Sequence, residues 1–130
     1  MTQPVKDTNA MISGMRPVLQ PGAFAFVVWP DNKPWPDGTR ASCVEAEGLS
    51  LIVPIHSAPQ DTVAMHCITL QVHSSLEGVG LTAAVSGALA RQGIPANMVA
   101  GYHHDHIYVP AAQSQDALRV LQDLQRSSKQ

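Results

Sequence analysis

The chain has 130 residues, 45% of them hydrophobic and 14% charged, with a formal net charge of −2. That length suits one compact domain or two fused half-domains with a real core, and the composition excludes global disorder. The charge gives no electrostatic reason to expect nucleic acid or an anionic membrane as partner, and no apolar run approaches the ~20 residues that span a bilayer.

Residues 1–9 are polar and aperiodic and are expected to fray. They include Lys6 and Asp7 but no long apolar stretch, so no signal peptide is expected and cytosol is the default location. Met11–Val18 reads as a helical turn ending near Pro17, and Ala23–Val28 as a strand. Pro30, Pro34 and Pro36, with Asp31, Asn32, Asp37 and Gly38, predict a surface loop around Trp29 and Trp35. Ala41–Val44 and Leu49–Pro54 bracket a Gly-containing turn and predict a hairpin, while Ser57–Val63 reads as a short helix or loop.

His66–Val72 alternates Ile68, Leu70 and Val72 on one face with Cys67, Thr69 and Gln71 on the other, as a half-buried strand does. A Gly-rich bend follows. Ser74 and Glu77 fit a capping box that starts a helix at Leu76, and a start nearer Gly80 fits equally well. Leu81, Ala84, Val85, Ala88 and Leu89 then recur at helical spacing until Gly93 stops the run. Asn97–Gly101 and Ile107–Pro110 are short strands joined through His103-His104-Asp105. Gln113–Ser127 carries Ala117, Leu118, Leu121 and Leu124 on one stripe, an amphipathic helix.

The bend from Ser74 to Gly80 is the best candidate site, because free backbone N–H groups at a helix start can hold a carboxylate or another anion. The plainer alternative is that its glycines only let the helix approach the sheet. Cys43 and Cys67 make no disulfide framework; both lie in apolar segments and read as small buried hydrophobes. His103, His104, Asp105 and His106 have the donor chemistry for a metal, but consecutive residues at a hairpin point to opposite faces. Asp105 reads as the cap of that turn. Ser74 and Ser75 beside His73 lack a nucleophile elbow, and no lysine follows the glycines as in a phosphate loop. No catalytic residue, metal ligand or cofactor is expected.

The strings VHSSLEGVGLTAAVSGALA at 72–90 and NMVAGYHHDHIYVP at 97–110 closely resemble small bacterial ACT-domain proteins, which carry HSSLxAVGLTAA and GYxHDHIxVP strings. The MRPVLQPGAFAF and VEAEGLSLIVP segments extend the resemblance to roughly residues 11–125. Gly78 stands where that family usually has Ala, and Cys43-Val44-Glu45 departs from an expected Phe-Arg-Glu-like string.

The resemblance implies an α+β ferredoxin-like sandwich, an antiparallel sheet with helices packed on one face. It further implies two fused ACT-like halves, a truncated one at 11–63 and a βαββα unit at 64–127. The second half lacks a strand, to be supplied by an N-terminal strand or by a second subunit. Carried onto this chain, the family's effector site falls on Ser74, Ser75, Leu76, Val79 and Gly80. Glu45 and Glu47 are further candidates for holding an amino-acid ammonium group, or are solvated turn residues. The expected function is a cytoplasmic regulatory or sensor module for an amino-acid-like ligand, and the habit of the family implies a homodimer. A ligand-free interaction scaffold and a His-cluster metal protein are the alternatives.

Overall fold

The structure, a computed structural model, describes residues 3–128. Among the described residues, seven strands form one sheet and three α-helices accompany it, in the order α1 (Thr8–Ser13), β1 (Pro17–Leu19), β2 (Phe24–Trp29), β3 (Ala41–Glu45), β4 (Gly48–Pro54), β5 (Met65–Leu70), α2 (Leu81–Arg91), β6 (Asn97–Ala100), β7 (Asp105–Pro110) and α3 (Ser114–Ser127). The strand order is β3-β4-β2-β5-β7-β6, and β1 also pairs with β5. Every strand pairing is antiparallel.

Ile68 and Thr69 pair with Leu19 and Val18 on one side and with Ile107 and His106 on the other. β1 therefore occupies the flank of β5 that β7 leaves open, and Phe24 of β2 pairs with Met65 further along the same flank. The strand that the βαββα unit lacks comes from the N-terminal half of the same chain.

Pleating assigns the two faces. Ile68, Leu70, Ile107 and Val109 point toward the helices and join Met11, Ile12, Met15, Leu81, Val85, Leu89, Ala117 and Leu121 in one buried cluster. Cys67 and Tyr108 point the other way and form a smaller cluster with Phe24 and Ile52. Tyr108 meets the edges of both Phe24 and Phe26, at centroid distances of 6.0 and 5.6 Å. Both faces of β5 are covered, so its alternation marks two cores and not a wet face.

The N-terminus differs most from expectation. Asp7 caps α1, its carboxylate accepting the Ala10 N–H at 2.9 Å, so the helix begins at Thr8 and ends before Pro17. Pro17 and Val18 belong to β1 instead. Val5, expected to fray, forms a parallel bridge with Ser74; residues 1 and 2 lie outside the described residues. A short polar segment is ordered here because its backbone N–H and C=O groups find partners on another element. The Ile55–Ser57 turn is a one-turn 3-10 helix, and an extended loop follows it. α2 starts at Leu81 and not at Leu76. Cys43 is exposed, because β3 is an edge strand; Cys67 is fully buried.

Among the described residues, no helix is long and apolar enough to cross a membrane. In α3, Leu121 is buried while Arg119 pairs with Asp116 on the outer side at 2.7 Å.

Candidate functional site

β5 ends at Leu70, where the Gln71 N–H donates to the Met15 carbonyl at 2.6 Å, and the chain then bends toward α2. The Val5 segment lies along this bend. Val5 N–H donates to the His73 carbonyl and Ser75 N–H donates back to the Val5 carbonyl, both at 2.8 Å. Ser75 ties the loop internally: its hydroxyl accepts the Glu77 N–H at 3.0 Å and its carbonyl the Gly78 N–H at 2.9 Å. The Thr8 hydroxyl donates to the Val79 carbonyl.

The two glycines have separate reasons. A Cβ on Gly78 would stand 2.9 Å from the buried Met11 sulfur. One on Gly80 would stand 2.8 Å from the Thr8 methyl, and Gly80 also has φ +108°, a conformation that side chains rarely adopt. α1 occupies the space that larger residues would need at both positions. Gly78→Ala is expected to cost about 1–3 kcal/mol as overpacking, read by urea denaturation. The same substitution with Met11→Ala should recover part of that loss relative to Met11→Ala alone.

A cleft of 160 Å³ opens at the bend, lined by Ser74, Ser75, Leu76, Gly78, Gly80, Leu81 and Thr82, with Ala100, Gly101 and Asp105 opposite and Met11 beneath. Among the described residues, the N–H groups of Gly80, Leu81 and Thr82 have no acceptor within the chain. They carry the partial positive charge of a helix start. Facing them is the Asp105 carboxylate, which accepts the Ser74 hydroxyl at 3.4 Å. One wall is thus rich in donors and the other carries an acceptor charge.

Of the sequence-derived candidates, Ser74, Ser75, Leu76 and Gly80 line this cleft together. Val79 lies outside the lining and, like Leu76, is largely exposed. Glu45 and Glu47 are elsewhere. From the Phe24–Met65 pair, β2 runs away toward the β3–β4 turn, where Trp29 meets Leu49, while β5 runs oppositely to the bend. Both glutamates sit at that distant turn, beside Asp31 and the exposed Trp35. The Glu45 carboxylate accepts the Ser50 hydroxyl. Trp29 is folded down, its indole N–H donating to the Pro34 carbonyl at 3.1 Å with Lys33 over the ring.

Asp105 is the residue that sequence reasoning missed. It does not cap the hairpin; it begins β7 on the same face as Ile107 and Val109, which turn toward the helices. Extending that parity two residues back from Ile107 was the available signal. The histidines divide between two faces. His103 stacks with His73 and Tyr102, His104 donates from Nδ1 to the Val72 carbonyl at 3.3 Å, and His106 bonds Thr69 on the opposite face at 2.9 Å. Among the described residues, no group of three or more His, Cys, Asp or Glu is placed to hold a metal.

Burial holds the His106 imidazole below the ordinary histidine range, with His104 adding to the effect and Asp105 opposing it. Its protonation therefore favours the unfolded chain. Stability is fully present above the unfolded value near 6.5 and is lost as pH falls through the lower folded value. Melting temperature followed from pH 8 to 5 should decline on the acid side, and His106→Gln should flatten that decline. Burial likewise raises the Cys67 thiol and the Tyr108 phenol, keeping both neutral and the thiol unreactive.

An ACT-domain family matches residues 62–123 and another matches residues 3–68. No curated protein matches the chain. Among solved structures, a Vibrio cholerae protein of unknown function, described as a possible transport protein, is 36% identical with a TM-score of 0.72. That match covers 87% of this chain and 92% of the other. The regulatory subunit of aspartate kinase from Thermus flavus is 12% identical with a TM-score of 0.58, covering 83% of this chain and 95% of the other. Clostridium acetobutylicum aspartate kinase is 9% identical with a TM-score of 0.60, covering 85% of this chain but 34% of the enzyme. An antiparallel sheet with helices on one face and a strand-to-helix bend defines the ferredoxin-like class. The chain belongs to the ACT-domain family.

Proposed function

We propose that this protein is a regulatory ACT module that binds a small α-amino acid at the Ser74–Gly80 bend and acts by recognition, not catalysis. The observation that carries the reading is the pairing of unused N–H groups at Gly80, Leu81 and Thr82 with the Asp105 carboxylate across one cleft. A zwitterion matches both walls: its carboxylate suits the helix start and its ammonium suits Asp105. The 160 Å³ cleft corresponds to roughly five water volumes, which favours an amino acid with a small side chain. The likeness of the fold to an aspartate kinase regulatory subunit supports a regulatory role, exerted by shifting populations of states. Leu76 and Val79, exposed at the rim, are suited to burial against a second copy in a homodimer.

Thermal shift against the free amino acids tests this. A ligand at 100 times its dissociation constant adds about 2.7 kcal/mol of stability. Asp105→Asn keeps the shape but removes the charge, and is expected to weaken binding about tenfold or more while leaving the melting temperature of the free protein within a few degrees. A panel without any stabilising amino acid would instead favour a ligand-free scaffold, for which the glycines serve only to admit α1.

A further inference from the structure

A second concavity, of 380 Å³, opens where β5 leaves the sheet and shares no lining residue with the bend cleft. Arg16 lines it from the α1–β1 turn, Gln71 and His73 from the β5 exit, and His103 and His104 from the β6–β7 loop. Three separate segments thus bring one guanidinium and three imidazoles to one place, and no carboxylate is among the lining residues.

The arrangement is built. Arg16 has φ +42°, the one non-glycine residue with positive φ among those described. A strained conformation of this kind persists only where its surroundings hold it. Gln125 of α3 does so with both ends of its amide: Oε1 accepts the Arg16 N–H at 3.1 Å, and Nε2 donates to the Ser13 carbonyl at 2.9 Å. The Val72 carbonyl orients His104 through Nδ1, leaving Nε2 for another partner. His103 meets His73 and Tyr102 at ring-centroid distances of 5.2 and 5.0 Å, and those two rings also approach each other at 6.2 Å. Among the described residues, Arg16 has no carboxylate partner. The Asp105 carboxylate, next in sequence to His104, belongs to the bend cleft, where it bonds Ser74.

We propose that this concavity is a second ligand site, for a small phosphate-bearing anion, held by the Arg16 guanidinium and the imidazoles of His73, His103 and His104. A guanidinium presents a fork of N–H donors to phosphate oxygens, and imidazoles arriving from other segments meet the remaining corners of a tetrahedral anion. The volume leaves room for a few carbon atoms beyond the phosphate, beside the exposed Tyr102 ring. The site does not depend on any ligand at the bend.

The test is side-chain NMR of the histidines in the full chain, titrated with inorganic phosphate and separately with adenosine monophosphate. His73, His103 and His104 should shift, while His56 and His66, which do not line the concavity, should not. Tighter binding of the nucleotide identifies an organic phosphate; equal binding identifies the free anion.

Arg16→Gly separates binding from folding. Glycine takes the positive φ without strain, so this variant should melt a few degrees higher yet lose at least tenfold in phosphate affinity. Arg16→Lys should keep part of the affinity. Unchanged histidine signals in 20 mM phosphate at pH 6, or the same affinity in Arg16→Gly, overturns the proposal.

Discussion

Gly80→Val is expected to destabilise the protein by about 2–6 kcal/mol, enough to leave a domain of this size marginal. Two independent penalties add. A β-branched residue at φ +108° costs about 1–3 kcal/mol in backbone strain. Its Cβ would also stand 2.8 Å from the Thr8 methyl, and forcing α1 aside costs another 1–3 kcal/mol or so. Urea denaturation monitored by circular dichroism measures the sum. Thr8→Ala removes the obstructing methyl, so in that background the same Gly80→Val change should cost distinctly less. Equal costs in the two backgrounds would show that strain alone governs the position. The result bears on function as well: a bulky residue at Gly80 perturbs the fold before it reaches a ligand, which makes Asp105→Asn the cleaner probe of the bend.

Leu121→Ala should cost about 2–5 kcal/mol. Leu121 is wholly buried in α3 within the cluster that joins all three helices to the sheet. Its removal leaves a cavity where α3 packs on α2, β1 and β7, and partial collapse decides where in the range the loss falls. Gln122, one residue along on the exposed side, is the control; Gln122→Ala should change stability by less than about 0.5 kcal/mol. A loss below 1 kcal/mol for Leu121→Ala would mean that α3 is not a full member of the core.

The second half of the chain was more legible than the first. α2 and α3 announce themselves through helical spacing over eleven and fourteen residues, and both lie close to where periodicity put them. The β3–β4 hairpin follows from its turn and flanking apolar runs. α1 spans only six residues, too few for periodicity to register, and its stability comes from Asp7 and from packing. The Val5 segment carries no pattern, since its order comes from backbone hydrogen bonds to a bend some seventy residues away. At the candidate site, the small residues and glycines of Ser74–Gly80 flagged one wall. The opposing wall at Asp105 hid inside a string that reads first as a turn.

The amino-acid sequence alone determined the family, the ferredoxin-like class and the position of the strand-to-helix bend. The family and its class follow from the resemblance carried by distinctive short strings, and the bend from local spacing; none of these needs knowledge of neighbours. Only the tertiary structure decided that β1 completes the sheet within the chain, and that Glu45 and Glu47 lie at the far end from the bend. It also decided which glycines yield to α1, and that Arg16 and three histidines line one concavity. Each of these is a contact between segments remote in sequence, set by strand register and by the closeness of packing.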